Sequence, residues 1–170
     1  MSNLYICIEI VELLFDESIT VDLEEMGFDA NVLAEHLRDK TGIEYPEFKI
    51  VGYGDFGHIK DWQLRSLRMN DLLEIARCCT EYGEPFTAYA NEVGVMFATE
   101  SNFKDSFKGT YNNEKEFAAE YANDTGVFEG ASKTCIEYFD MESYAEDLIR
   151  YSFWSVDDMK GNNIFVFDNI

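Results

Sequence analysis

Residues 107–167 read FKGTYNNEKEFAAEYANDTGVFEGASKTCIEYFDMESYAEDLIRYSFWSVDDMKGNNIFVF, and two stretches within them carry helical spacing. Asn113 followed three residues on by Glu116 has the form of a capping box, in which each side chain satisfies an amide that the helix start leaves open. Behind it Phe117, Ala118, Tyr121 and Ala122 fall at i, i+1, i+4 and i+5, one stripe of a helix surface. Gly126 closes that helix. Asp140 caps the next, with Tyr144, Ala145 and Leu148 inward. Phe153–Val156 and Ile164–Phe167 then form two apolar runs around DDMKGNN, a hairpin. Glu114, Glu120 and Asp124 on the first helix, and Glu142, Glu146 and Asp147 on the second, lie away from the apolar stripes. The pattern suits a scaffold that holds carboxylates at fixed positions.

Working upstream, residues 61–103 read as helical. Asn70 is placed to cap DLLEIARCCTEY, and Gly83 ends it. Pro85 fits the first turn of the following helix, where its missing N–H is not needed. Phe86, Tyr89, Ala90 and Val93 make the buried stripe of that helix, Gly94 stops it, and Ser101–Phe107 reads as a further short helix. The first sixty residues read as a small α+β module. Leu4–Ile10 is a strand, a second lies around Ser18–Val21 after a loop from Asp16, and Asp29 caps a helix with Leu33, Leu37 and His36 on one face, ended by Gly42. A third extended run follows Pro46, with Phe48, Ile50 and Val51 apolar, and Gly52, Gly54 and Gly57 break it into loop. The expected fold class is α+β, a chain of three small modules: an α+β module over 1–60, a helical bundle over 61–103, and an α+β module with a C-terminal hairpin over 104–170.

Charge is the outlying property. The chain of 170 residues holds 34 Asp and Glu against 13 Lys and Arg, a net charge of −21. The excess is spread through the chain, at −9 over residues 1–60, −4 over 61–103 and −8 over 104–170. Such a charge opposes compaction and disfavours contact with phosphate backbones or anionic membranes, so neither direct nucleic-acid binding nor membrane association is expected. Hydrophobic residues make up 46% of the chain, enough for a packed core. No apolar run approaches the ~20 residues that span a bilayer. The opening residues lack a basic region ahead of an apolar one, which predicts a reduced, cytoplasmic protein. Cys7, Cys78, Cys79 and Cys135 form no CxxC pair, have no histidine at zinc spacing, and read as buried free thiols.

Enzyme signatures are missing from the sequence. It has no P-loop and no GxGxxG; GYGDFG at 52–57 puts an aspartate where a phosphate would sit. Asp157 and Asp158 lie outside any EF-hand pattern. With so many acids, close carboxylate pairs arise by chance, and none carries the apolar pocket that would tune a general acid. His36 and His58 stand in no recognisable nucleophile context. No catalysis, cofactor or metal is expected. Carboxylates do, however, have another use. Duplex DNA carries one charge per ~1.7 Å of axis, and its partners draw much of their affinity from counterion release in a groove of Lys and Arg. A protein carrying anions at comparable spacing would enter that groove without offering base edges.

Specific residues connect this idea to a family. The order F-x-G-x-Y at 107–111, EFAAEYA at 116–122, a glycine-ended helix, YFDMESYAEDL at 138–148 and a closing FVF resembles the ArdA antirestriction proteins. EYPEFKIVGYGDFG at 44–57 extends the likeness, which covers roughly residues 44–170. IVELLFDESITVDLEEM at 10–26 departs from the family's usual strand followed by an Asn- and Gly-containing loop. The resemblance implies an elongated homodimer that imitates duplex DNA and occupies the DNA-binding groove of type I restriction-modification enzymes at their methyltransferase core. It would act by occupancy, without turnover, and protect incoming mobile DNA. Glu114, Glu116, Glu120, Asp124, Glu137, Asp140, Glu142, Glu146, Asp147, Asp157 and Asp158 would then stand in for phosphates, with Glu44, Glu47 and Asp55 extending the strip. Phe153 and Trp154 are the leading candidates for a dimer surface. Each acid taken alone reads equally well as an ordinary solvated side chain. Composition by itself fits another acidic module that inhibits a different nucleic-acid-binding protein.

Overall fold

The computed structural model describes residues 4–13 and 18–169, which form two compact units, 1–100 and 101–170. In the first unit β1 (Tyr5–Ile10) is the middle strand of an antiparallel sheet of order β2-β1-β3, flanked by β2 (Ser18–Asp22) and β3 (Phe48–Gly54). Alternation decides which face is buried: Ile6, Ile8 and Ile10 point into the core with Val21, while Tyr5, Cys7 and Glu9 point outward. Helix α1 (Ala30–Thr41) contributes Leu33 and Leu37 to the core. The Asp29 carboxylate caps it by accepting from the Asn31 amide at 2.7 Å, and Gly42 ends it at φ 71°.

Strand β3 runs through Gly52 and Gly54, which the sequence assigned to a loop. Both glycines face β1 side chains. A side chain at Gly54 would run into the Tyr5 ring, whereas one at Gly52 would meet Cys7 at ordinary contact distance. They are strand residues because both pair with β1, Gly54 opposite Tyr5 and Gly52 opposite Cys7, and at Gly54 the Tyr5 ring takes the space a side chain would need. The loop expected at Asp16 and Glu17 lies outside the described residues.

Helices α2 (Asp61–Leu64), α3 (Met69–Tyr82) and α4 (Glu84–Val93) complete this unit. Helix α3 begins one residue before Asn70, with Arg68 at the cap position and no side-chain cap bond, so the expected Asn70 cap is not formed. Leu72, Leu73, Ile75, Ala76, Cys78 and Cys79 are all buried along it. Phe86, Tyr89 and Ala90 are buried on α4 as expected, with Val93 half-buried.

Helix α5 (Glu100–Ser106) leads directly into β4 (Phe107–Tyr111), a strand whose first residue the sequence placed in the helix. Strand β4 pairs with β6 (Ile164–Asp168), which pairs with β5 (Phe153–Asp157), giving the antiparallel order β4-β6-β5. Helices α6 (Glu114–Asp124) and α8 (Met141–Tyr151) pack on one another, with Ala118, Ala122 and Ala145 buried. Phe117, Phe153, Ile164 and Val166 form the core of this unit, with Tyr111, Tyr121, Leu148 and Ile149 around it. Phe107 and Trp154 both pack on Phe167, Trp154 stacking at 4.3 Å between ring centroids. Between α6 and α8 lies a turn-sized helix, α7 (Lys133–Glu137), absent from the sequence reading because it buries no residue. Cys78 and Cys79 are buried as expected, Cys7 is half-buried, and Cys135, on α7, is exposed instead. No helix of the described residues is long and apolar enough to cross a membrane.

Candidate functional site

The second unit carries the acids that the sequence placed on water-facing surfaces. Asn113 caps α6, accepting from the Glu116 amide at 3.0 Å, while the Glu116 carboxylate accepts from Asn112 N and Nδ2, both at 2.7 Å. Asp140 caps α8, accepting from the Ser143 amide at 3.0 Å and the Ser143 hydroxyl at 2.9 Å. Both bonds, the amide first, hold its carboxyl below the usual aspartate value. These caps fix where the helices start, and therefore which residues face water.

Between the start of α6, the first half of α8 and β5 runs a groove of about 620 Å³. Ala145 and Ile164 lie along it, with Glu114, Glu142, Glu146 and Asp157, and Lys115 is the one cation among its lining residues. Glu142 and Glu146 are an i, i+4 like-charge pair, which costs a helix about 0.2–0.5 kcal/mol. A cation could relieve it, and Arg150 follows Glu146 at the same spacing. Yet Arg150 pairs with no carboxylate among the described residues; its guanidinium carbon lies 6.0 Å from the centre of the Tyr151 ring.

The fourteen candidate acids fall into two groups. Five have duties inside the fold. Besides Glu116 and Asp140, Glu114 accepts from the Ser155 hydroxyl at 3.0 Å and Glu120 from the Tyr111 hydroxyl at 3.3 Å. Asp158 closes the β5–β6 hairpin, accepting from the amides of Asn162 at 2.9 Å and Lys160 at 3.0 Å and from Asn163 Nδ2 at 3.0 Å. The Asn162 amide does most to hold its carboxyl below the usual value. The other nine are Glu44, Glu47, Asp55, Asp124, Glu137, Glu142, Glu146, Asp147 and Asp157. All nine are exposed, and among the described residues no hydrogen bond or ion pair engages their carboxylates. The first three belong to the first unit and the other six to the second.

Of the two dimer candidates, Phe153 is 5% exposed and belongs to the core of its own unit. Trp154 is half-buried, and its indole Nε1 donates to the Asp168 carbonyl at 3.2 Å. His36 is half-buried on α1, and His58 Nε2 lies 3.1 Å from Glu84 Oε1 in an ordinary polar contact.

One acidic cluster escaped sequence reasoning. Glu74, Cys78 and Glu100 bring ligand-type atoms within 4.8 Å of one another, the spacing of a metal site. The position of a cation is held by Arg77. Its Nη2 donates to Glu74 Oε1 at 2.7 Å and Glu100 Oε2 at 2.6 Å and lies 3.6 Å from Cys78 Sγ, while its Nη1 donates to Glu81 at 2.6 Å. Burial pushes the Cys78 thiol up to about 11, and the Arg77 hydrogen bond holds the Glu74 carboxyl down. Glu74 and Glu81 at i−3 and i+4 from Arg77 were readable; Glu100 lies 23 residues on and was not.

The decisive comparison concerns most of the chain. The family model of the antirestriction protein ArdA matches residues 15–157. The chain belongs to the ArdA family. Membership gives this chain an antirestriction role, directed against restriction enzymes, in a family of inhibitors. The match begins inside the opening stretch 10–26 and runs on through the rest of the first unit. No curated protein matches the chain.

Proposed function

We propose that this protein inhibits type I restriction-modification enzymes by occupying the DNA-binding groove of their methyltransferase core, with carboxylates in place of duplex phosphates. The observation that carries the proposal is the set of nine exposed acids whose carboxylates no hydrogen bond or ion pair engages among the described residues. A fold selected for stability alone would gain by neutralising or pairing them. Helix α8 instead keeps Glu142 and Glu146 in mutual repulsion with Asp147 beside them. The five engaged acids are anions too, and would contribute field without being replaceable.

On this reading the chain acts by occupancy and without turnover, in the cytoplasm, as a homodimer of three-module protomers, and shields mobile DNA. Trp154 is the dimer candidate that remains at a surface. Each exposed acid contributes little alone, and the sum contributes through release of the counterions that the cationic groove holds. The test is inhibition of a purified type I enzyme across a salt series, with duplex DNA as competitor. Inhibition should weaken steeply with salt, and inhibitor and duplex should displace each other. Neutralising Asp124, Glu137, Glu142, Glu146, Asp147 and Asp157 together should weaken inhibition while the fold persists. Undiminished inhibition by that variant at low salt would end the proposal. Inhibition confined to some other nucleic-acid enzyme would assign the chain to that target instead.

A further inference from the structure

The β5–β6 hairpin leaves one strand edge open beside the acidic groove of the second unit. Strand β5 lies at the end of the sheet order β4-β6-β5. At the two ends of its pairing with β6, the Asp158 amide donates to the Asn163 carbonyl at 2.8 Å and the Asn169 amide to the Ser152 carbonyl at 3.0 Å. Antiparallel strands alternate between residues that exchange such bonds and residues that turn their N–H and C=O away. Between those two bonds, Trp154 and Val156 therefore bond to β6, while Phe153, Ser155 and Asp157 turn outward. Among the described residues no hydrogen bond engages the backbone of Ser155 or Asp157 on that side, and the Phe153 carbonyl accepts only from Asn169 Nδ2 at 3.4 Å. The opposite edge of the same sheet is defended. Strand β4 has a register shift between Phe107 and Gly109 with the exposed Lys108 inside it, the bulge and the charge that keep further strands from adding. Strand β5 pairs with β6 unbroken over five residues, and FWSVD holds no glycine, proline or lysine.

The faces beside this edge narrow what can add to it. Ser155 and Asp157 line the groove together with Glu142 and Glu146. The carboxylates of Glu142, Glu146 and Asp157 are engaged by no hydrogen bond or ion pair among the described residues. Trp154 and Val156, one residue out of phase, lie on the other face of the sheet, where Trp154 stacks on Phe167. Side chains directly opposite one another in paired strands share a face. A strand added to β5 thus sets every second side chain toward the carboxylates and the others toward Trp154 and Val156. Lysine or arginine suits the first position and an apolar residue the second. A second copy paired here through its own β5 would bring Glu142, Glu146 and Asp157 of both chains together. That repulsion is local to this edge and leaves Trp154, on the opposite face, available to a dimer. We infer that β5 receives, as an added strand, an extended segment of the target enzyme in which lysine or arginine alternates with apolar residues. The inference rests on the function proposed above. It gives the target a main-chain contact, which salt screens far less than it screens exposed carboxylates.

The test measures affinity for a purified type I methyltransferase at low and high salt. It compares the parent, Ser155→Pro, Ser155→Ala and the six-acid variant named above, with thermal melts to confirm folding. Ser155→Pro removes an outward N–H and sets a ring against any added strand, at a position where the ladder to β6 loses no bond. It should weaken binding about tenfold at both salt concentrations, as loss of one or two main-chain hydrogen bonds does. Ser155→Ala keeps the edge, loses only the hydroxyl that donates to Glu114, and should bind like the parent. Amide hydrogen exchange on the parent reads the edge without any substitution. The Ser155 and Asp157 amides should exchange readily in the free chain and slow in the complex, while those of Trp154 and Val156 are slow in both. Parent-like binding by a folded Ser155→Pro while the six-acid variant is weakened would overturn the added strand and leave mimicry standing. Unchanged exchange at Ser155 and Asp157 in the complex would overturn it too, whether or not Ser155→Pro folds. If neither variant is weakened, both ideas fall. Slow exchange at these amides in the free chain that quickens on dilution would mean that a second copy covers the edge, and would overturn the inference.

Discussion

Helices α3 and α8 are both acidic and amphipathic, but their acids sit in different company. On α3, Glu74 and Glu81 converge on Arg77, which also reaches Glu100. On α8, Glu142, Glu146 and Asp147 have no such partner among the described residues, and Arg150 lies against Tyr151. Burial accounts for part of the contrast. Six residues of α3 are buried, so it is a core helix whose polar flank must be stable, whereas α8 buries only Ala145 fully. The proposed function supplies a reason for the remainder, because an i, i+4 repulsion beside an arginine that pairs with no carboxylate among the described residues is a cost that one substitution would remove. On the proposed function, acidity alone does not mark the surface that the target reads; acidity left unpaired where a cation was within reach does.

The contrast predicts opposite outcomes from neutralising the two sets. For the six unpaired acids of the second unit, each contact is worth about 0.2–1 kcal/mol, so together they should remove about 2–4 kcal/mol of binding, on the order of 30- to 1000-fold in inhibition. The same substitutions relieve repulsion, so the melting temperature should hold or rise. Replacing Glu74, Glu81 and Glu100 by glutamine should do the reverse, lowering the melting temperature by orphaning Arg77 while leaving inhibition nearly unchanged. Equal loss of inhibition in both sets would erase the distinction.

Arg77→Met sharpens the comparison from the cation's side. It strands three carboxylates around a buried thiol, and should cost about 1–2 kcal/mol in a urea melt, allowing for the one-third of the side chain that solvent already screens. Arg150→Met should change stability by less than the error of the same measurement. The difference between the two arginines is the quantity of interest.

Local chemistry explains how much of this was visible in the sequence. Asp29, Asn113 and Asp140 were readable as caps because a cap needs only a short polar side chain and an amide two or three residues away. Gly42 and the β5–β6 hairpin were readable for the same reason. Strand β4 was not, since FKGTY becomes a strand only by pairing with residues 164–167, more than fifty positions on. Gly52 and Gly54 looked like loop because their strand role depends on Tyr5 and Cys7 across the sheet. The same division runs through the candidate site. Which acids face water followed from helical periodicity. That Glu114, Glu120 and Asp158 are engaged by Ser155 of β5, Tyr111 of β4 and Asn162 of the hairpin turn depends on where the folded strands and that turn lie. Glu116 and Asp140 were readable as caps and as phosphate substitutes at once, and the caps are what the structure displays.

A smaller effect separates cap from display on a single helix. Asn113→Ala removes the acceptor for the Glu116 amide and should destabilise the second unit by about 1 kcal/mol. Because α6 also carries the unengaged Asp124, inhibition should fall only as far as unfolding explains. A drop in inhibition at temperatures where the variant is fully folded would show that the position of α6 itself is read by the target.

The smallest expected effect is in acid. Asp140 and Asp158 both have carboxyls held below the usual value of 3.8 by amides that their folded positions supply. A depressed carboxyl stabilises the fold fully above its unfolded value, and that stability is lost as pH falls through the folded one. Over the range from neutrality down to the isoelectric point near 4.2, falling net charge works the other way by relieving repulsion among the unpaired acids. Urea midpoints should therefore hold or rise on acidification to about pH 4 and then fall, the turn belonging to the engaged aspartates and the rise to the unpaired acids. Asp140→Asn, which keeps a capping oxygen but cannot titrate, should flatten the fall and leave the rise untouched. The six-acid variant should lose much of the rise and keep the fall. A midpoint that declines steadily from pH 7 in the parent would mean that the unpaired acids do not repel one another, and the cost argued for α8 would disappear with them.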